Sequence, residues 1–312
     1  MSFIREFGSW LPQRVVTSEE AGSWVGADAA WVKNVSGIEE RRFAIDADTV
    51  ADLASRAGTD CLERAGMAPT ELGMVMVASG TGERQFPGPA CSAAQKMGAA
   101  GVPAVDLPMA SAGSLFGLSM ASRLAAQLGP ILVIGAEKMS RIVARAPQER
   151  GVAVLFGDGA GACLITPDKG KAEIMDSVLG TDGNFSEDLT LECDQAMKMN
   201  GRSVILQASR KIPACIRALL EKYSIKPPEV LSFLLHQANQ HLIDKVAETL
   251  GVPSAKFFSN IRKYGNTSSA SMLIAAAEWS REQGFEPGEP VIFAAFGAGF
   301  NWGALLVRGV EA

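Results

Sequence analysis

"CLERAGMAPTELGMVMVAS", residues 61–79, returns later in the chain as "LLEKYSIKPPEVLSFLLHQ", residues 219–237. At a constant offset Glu63 meets Glu221, Pro69 meets Pro227 and Glu71 meets Glu229. Two more blocks follow in the same order. "GPILVIGA" (129–136) resembles "EPVIFAAF" (289–296), and "LFGDGAGACLI" (155–165) resembles "AFGAGFNWGALLV" (295–307). One block can match by chance; three in order point to an internal duplication. Within each copy, helical spacing alternates with short apolar strands. "TVADLASRAGTDCLERAGM" (49–67) and "SLFGLSMASRLAAQL" (114–128) read as helices, and "GMVMVASG" (73–80) and "GPILVIGAE" (129–137) as buried strands. The expected fold is therefore α/β, with two duplicated halves, 1–167 and 168–312. The turn residues of "TPDKGKAE" supply the seam. Equivalent strand ends should converge on a cleft between the halves, where ligands bind in such architectures.

Bulk properties narrow the function. The 312 residues carry a net charge of −5 and no basic run, which argues against a nucleic-acid partner. The five cysteines (61, 91, 163, 193 and 215) form no C-x-x-C pair, so neither a disulfide framework nor a structural zinc site is expected. "MSFIREFGSW" lacks a signal-peptide pattern, and no apolar run approaches the roughly 20 residues of a membrane span. A reduced cytoplasm is the expected setting.

Three polar residues stand where chemistry would be displayed. In "DLPMASAGSLFGL" (106–118) an apolar strand runs through a small-residue turn into a helix, with Ser111 in the turn. A nucleophile there gains from the positive end of the helix dipole. Only two histidines occur, both in "LLHQANQHLID" (234–244). His236 ends an apolar strand beside Gln237 and Asn239, while His241 falls on the following helix. Asn266, in "KYGNTSSAS" (263–271), precedes another helix rich in small residues. A plain helix cap by Asn266, Thr267 or Ser268 would account for this turn alone. The duplication, however, sets it opposite the Ser111 turn. A His and an Asn aimed at one point polarise a thioester carbonyl or hold an enolate oxygen, the apparatus of acyl transfer or carbon–carbon condensation. "GDGAGA" is not a nucleotide loop, because it runs into a strand rather than a helix.

With these residues in view, the chain resembles the β-ketoacyl-acyl-carrier-protein synthase III family of the thiolase superfamily. "WVKNVSGIEERRFA" (31–44), "FPGPACSAAQKMG" (86–98), "LFGDGAGACLI", "LHQAN", "YGNTSSAS" and "FGAGFNWGALLVR" (296–308) match the family's blocks in order. The resemblance implies a layered α-β-α-β-α thiolase fold, a homodimer, coenzyme A thioester as substrate with no permanently bound cofactor, and acyl carrier protein as a further partner. It places the family's Cys–His–Asn triad on Ser111, His236 and Asn266. It assigns Trp31 and Arg150 to clamp the adenine of coenzyme A, with Asn239 beside them. Phe86 would reach across the dimer to bound the partner's acyl pocket, and Phe296, Gly297 and Gly299 would shape the pocket of their own chain.

The departures are Ser for Cys at 111, Val35 in place of a basic coenzyme A contact, and Ile205 and His241 in place of basic carrier-protein contacts. Arg210, Lys211, Arg217 and Lys222 could replace those contacts or form a solvated helix face. Serine is barely ionised and needs a base, for which His236 is the candidate. Three readings therefore stand: a synthase-III-like acyltransferase working through Ser111, as in a specialised polyketide-like pathway; a condensing enzyme whose Cys was exchanged for Ser to trap a ligand; and a non-catalytic partner subunit that binds acyl groups. An α/β-hydrolase is set aside, because "MASAG" keeps only the second Gly of G-x-S-x-G.

Overall fold

The computed structural model describes residues 1–144, 149–192 and 195–311. Cys193 lies outside the described residues. Nine strands form the main sheet: β1 (Phe3–Trp10), β2 (Met74–Ala78), β3 (Ala104–Leu107), β4 (Ile131–Lys138), β5 (Asp158–Thr166), β6 (Ala172–Thr181), β7 (Ser232–Leu235), β8 (Pro290–Gly297) and β9 (Asn301–Gly309). The spatial order is β7-β8-β9-β6-β1-β5-β4-β2-β3. Each half repeats one plan. In the first, β2 is parallel to β4, which is antiparallel to β5. In the second, β7 is parallel to β8, which is antiparallel to β9. Within the sheet, the halves join where Phe3 and Ile4 of β1 pair with Glu173 and Ala172 of β6.

Six helices complete the layers: α1 (Val50–Ala65), α2 (Pro89–Lys96), α3 (Gly113–Leu128), α4 (Gly201–Lys222), α5 (Gln240–Leu250) and α6 (Ser271–Glu282). Helices α3 and α6 touch strands of both halves and form the middle layer. Helices α1 and α2 cover the first half, and α4, with α5 packed against it, covers the second. The result is a thiolase-like α-β-α-β-α stack. Its central layer is why α3 and α6 are apolar on nearly all sides. Leu115, Leu118, Met272, Leu273 and Trp279 are buried among Phe7 and Phe293. At Gly161 of β5 a Cβ would sit 2.6 Å from the Ile274 nitrogen, so only glycine lets α6 pack this tightly there.

The repeated block is legible atom by atom. Pro69–Glu71 and Pro227–Glu229 are both short 3₁₀ turns. Glu71 accepts the Ala68 N–H at 2.7 Å, and Glu229 accepts the Lys226 N–H at 2.6 Å. A carboxylate reaching back to close its own turn explains why Pro and Glu recur at this spacing.

Candidate active site

The parallel strands of the two halves deliver their carboxyl ends to one cavity of about 150 Å³. Ser111 follows β3, Glu137 lies near the end of β4, His236 follows β7, and Phe296 and Gly297 end β8. Asn266 enters from the loop ahead of α6. All six line that cavity, whose wall is otherwise largely apolar, with Met139, Leu189, Met197 and Leu242 among its residues.

Ser111 is half-buried and has φ of +62°, a conformation that costs a non-glycine residue roughly 1–2 kcal/mol. The cause is a tight turn in which the Ala112 N–H bonds the Ala110 carbonyl at 2.7 Å. Helix α3 starts two residues on, at Gly113, and has no side-chain cap. Gly297 backs this turn: a Cβ there would lie 2.4 Å from the Ala110 oxygen and 2.9 Å from Ser111 Cβ. Gly297→Ala should push the Ser111 turn out of place and cost about 1–3 kcal/mol, read as a fall of several degrees in Tm by calorimetry.

A serine-rich turn holds the other side. The Ser111 N–H donates to Ser268 Oγ at 3.0 Å, and Ser268 itself has φ of +47°. Asn266 Oδ1 accepts the Ser268 N–H at 2.8 Å, and Asn266 Nδ2 donates to the Ala238 carbonyl at 3.4 Å. Asn266 thus satisfies one backbone N–H of its own turn, but it does not cap α6, whose N-cap is Ala270 with no side-chain bond, and its amide lines the cavity. Ser271 Oγ lies 2.6 Å from His236 Nδ1 and accepts the Gln237 N–H at 3.0 Å. Burial drives the His236 pKa down to about 4, so the ring is neutral at pH 7.

Sequence reasoning missed Glu137. Its buried carboxylate accepts from Thr81 Oγ1 at 2.6 Å and from the Gly80 N–H at 3.1 Å, and lies 2.8 Å from Ser269 Oγ. It ties the end of β2 to the 268–271 turn across the two halves. The signal was a lone acid closing the apolar run "ILVIGAE".

Outside the cavity, the Arg150 guanidinium stacks on Trp31 with 4.2 Å from its carbon to the ring centroid. At that distance no purine fits between them, so the adenine clamp expected of this pair is not open in this conformation. Asn239 links the cavity to the Trp31 helix (Ala29–Ser36) by donating to the Val35 carbonyl at 2.9 Å. Gly299 holds φ of +125°, where only glycine is at ease, in the turn between β8 and β9. Phe86 is 85% exposed and stands apart from the cavity of its own chain. His241 is on the surface, with Nε2 against the Asn34 carbonyl at 2.7 Å. Of the α4 basic residues, Lys211 sits over Trp302 and bonds Asp182, Lys222 pairs with Asp176, and Arg217 bonds the Thr249 carbonyl.

Residues 105–183 match the family profile described as 3-Oxoacyl-[acyl-carrier-protein (ACP)] synthase III, and residues 220–309 match its C-terminal counterpart. The β-ketoacyl-[acyl-carrier-protein] synthase III of Aquifex aeolicus is 36% identical over 96% of this chain and 97% of its own length. The chain belongs to the 3-oxoacyl-[acyl-carrier-protein] synthase III family. It is accordingly an acyltransferase of the condensing type. The relative of the same name from Oleidesulfovibrio alaskensis is 34% identical over 98% of each chain. The Aquifex aeolicus crystal structure superposes with a TM-score of 0.93, covering 99% of this chain and 100% of that one at 34% identity. A priming β-ketosynthase from a polyketide biosynthetic pathway superposes at 0.88, with 29% identity, covering 100% of this chain and 97% of that one. Among the described residues no helix is long and apolar enough to cross a membrane.

Proposed function

We propose that this synthase III family chain takes an acyl group from a coenzyme A thioester onto Ser111 and passes it to the decarboxylated carbon of a malonyl thioester on acyl carrier protein. The convergence of Ser111, His236 and Asn266 on one cavity carries this reading. In the first half-reaction Ser111 Oγ bonds the acyl carbon, the carbon–sulfur bond breaks, and the serine proton ends on the coenzyme A thiol. In the second, the malonyl carboxylate leaves as CO2 and its electron pair forms an enolate. His236 and Asn266 donate hydrogen bonds to the enolate oxygen. The enolate carbon then attacks the seryl ester, the ester carbon–oxygen bond breaks, and the freed serine oxygen takes a proton from solvent water.

Trp31 and Arg150 bind the adenine once Arg150 swings aside, and Asn239 anchors the helix that carries Trp31. Trp31→Ala should raise KM for the acyl-coenzyme A about tenfold with little change in kcat, since stacking of this kind is worth about 1 kcal/mol or more; steady-state kinetics check it. Phe86, too exposed for an unpartnered aromatic, packs into a second copy and bounds its acyl pocket, while Phe296 and Gly297 shape the pocket of their own chain and Gly299, which does not line it, holds the turn that follows β8. The duplication divides the chain at 167/168. A cytoplasmic location and the absence of a permanently bound cofactor fit this chemistry.

Serine at 111 favours one second reading, since an oxygen ester is a poorer acyl donor to a carbanion than a thioester: the seryl ester is passed to an alcohol, an amine or water. Incubation with acetyl-coenzyme A and malonyl-carrier protein, read by mass spectrometry of the carrier, separates the two. A 3-oxoacyl carrier supports condensation. Acylated enzyme with unchanged malonyl carrier supports transfer elsewhere. Neither product counts against both.

A further inference from the structure

We infer that Ser271 is a positioning residue that fixes the tautomer of His236, so that His236 is a hydrogen-bond donor to the substrate and not a base for Ser111. The inference rests on the reading of the site given above and deepens it. It starts from a count of protons around one buried hydroxyl. Ser271 is 2% exposed and opens α6. Its Oγ already accepts the Gln237 N–H at 3.0 Å. The remaining neighbour is His236 Nδ1 at 2.6 Å. A serine hydroxyl has one proton to give. If Nδ1 carried a proton it would donate to Ser271 Oγ, and the serine proton would then have no acceptor among the described residues. A buried donor without an acceptor is the costly arrangement. The arrangement that satisfies every group has Ser271 O–H donating to a bare Nδ1, which leaves the ring proton on Nε2. Burial excludes the doubly protonated ring at neutral pH.

Nε2 has no hydrogen-bond partner among the described residues, and His236 lines the cavity with Ser111 and Asn266. A nitrogen that already holds its proton cannot take one from Ser111. It can donate to the oxygen of a malonyl thioester as the enolate forms. The same fixed ring therefore serves decarboxylation and leaves serine acylation without a base. The 268–271 turn delivers both effects, because Ser268 Oγ meets the Ser111 backbone while Ser271 Oγ meets the histidine.

The test is nitrogen-detected NMR of the histidine rings of the intact protein at neutral pH. With two histidines, His241→Gln leaves only the His236 signals. The expected spectrum shows a protonated Nε2 and a bare Nδ1. In Ser271→Ala the Nδ1-protonated form should appear, and kcat for CO2 release from malonyl-coenzyme A should fall tenfold or more with KM unchanged. Ser271→Cys keeps the shape with a weaker donor and gives the same readout where the alanine variant does not fold. A protonated Nδ1 in the parent overturns the inference, as does an unchanged tautomer in both variants. The spectrum does not depend on turnover. A protein with the expected tautomer and no CO2 release would contradict the proposed condensation while leaving the role of Ser271 intact.

Discussion

Ser111→Cys accelerates formation of the acyl-enzyme from acetyl-coenzyme A by about 10²-fold or more, an effect of the size that general-base assistance supplies. Cysteine ionises enough near neutral pH to attack unaided, and the N-terminus of α3 two residues away favours its anion. Serine lacks that ionised fraction. With Nε2 already protonated, His236 offers it no base. The turn that holds residue 111 is set by the Ala110–Ala112 bond and by Gly297, none of which depends on the nucleophile atom. The scaffold therefore accepts the exchange of one oxygen for sulfur. Stopped-flow release of free thiol measures the rate, and Ser111→Ala should show no acyl adduct.

The second large effect falls on decarboxylation. His236→Ala and Asn266→Ala should each slow CO2 release from malonyl-coenzyme A by about 10²–10³-fold, the usual cost of removing one donor to a developing oxyanion. In Ser111→Ala the release should persist, since that residue takes no part in the step. The pH dependence has a definite sign. The working form of His236 is the neutral ring, and its pKa is about 4, so the rate should hold level from pH 8 to pH 5 and fall only below that. Stability follows the same group. Between pH 6.5 and 4 the unfolded chain takes up a proton that the folded chain refuses, so acidification through this window destabilises the protein. The fall in Tm from pH 7 to pH 4.5 should be shallower in His236→Ala than in the parent.

Most of this architecture could be read before any coordinates. The Pro–Glu spacing of 69–71 and 227–229 recurs because each Glu closes its own turn, and those turns flank equivalent strands. Ser111, His236 and Asn266 announced themselves by standing at strand ends or helix starts of the two matched halves. What escaped was support rather than display. Glu137 gathers donors from residues 79–81 and from Ser269, partners more than 50 positions away on either side, and no local pattern encodes such a contact. Ser271 looked like one more small residue at a helix start. Its importance comes from the His236 ring that the fold places above it, 35 positions back in sequence. Nor could spacing show that Arg150 rests directly on Trp31, since only the folded helices bring them within 4.2 Å. For the basic residues of α4 a solvated helix face was the favoured reading, and Lys211, Arg217 and Lys222 bond groups of their own chain that no local spacing reveals.

Intact-protein mass spectrometry after incubation with acetyl-coenzyme A, run beside Ser111→Ala, tests the central claim most directly. The account predicts a slow gain of one acetyl group, mapped to Ser111 by peptide analysis and absent from the alanine variant. An unmodified chain with acetyl-, malonyl- and longer acyl-coenzyme A, in a preparation whose Ser111→Cys variant acylates, would contradict Ser111 as the acyl acceptor.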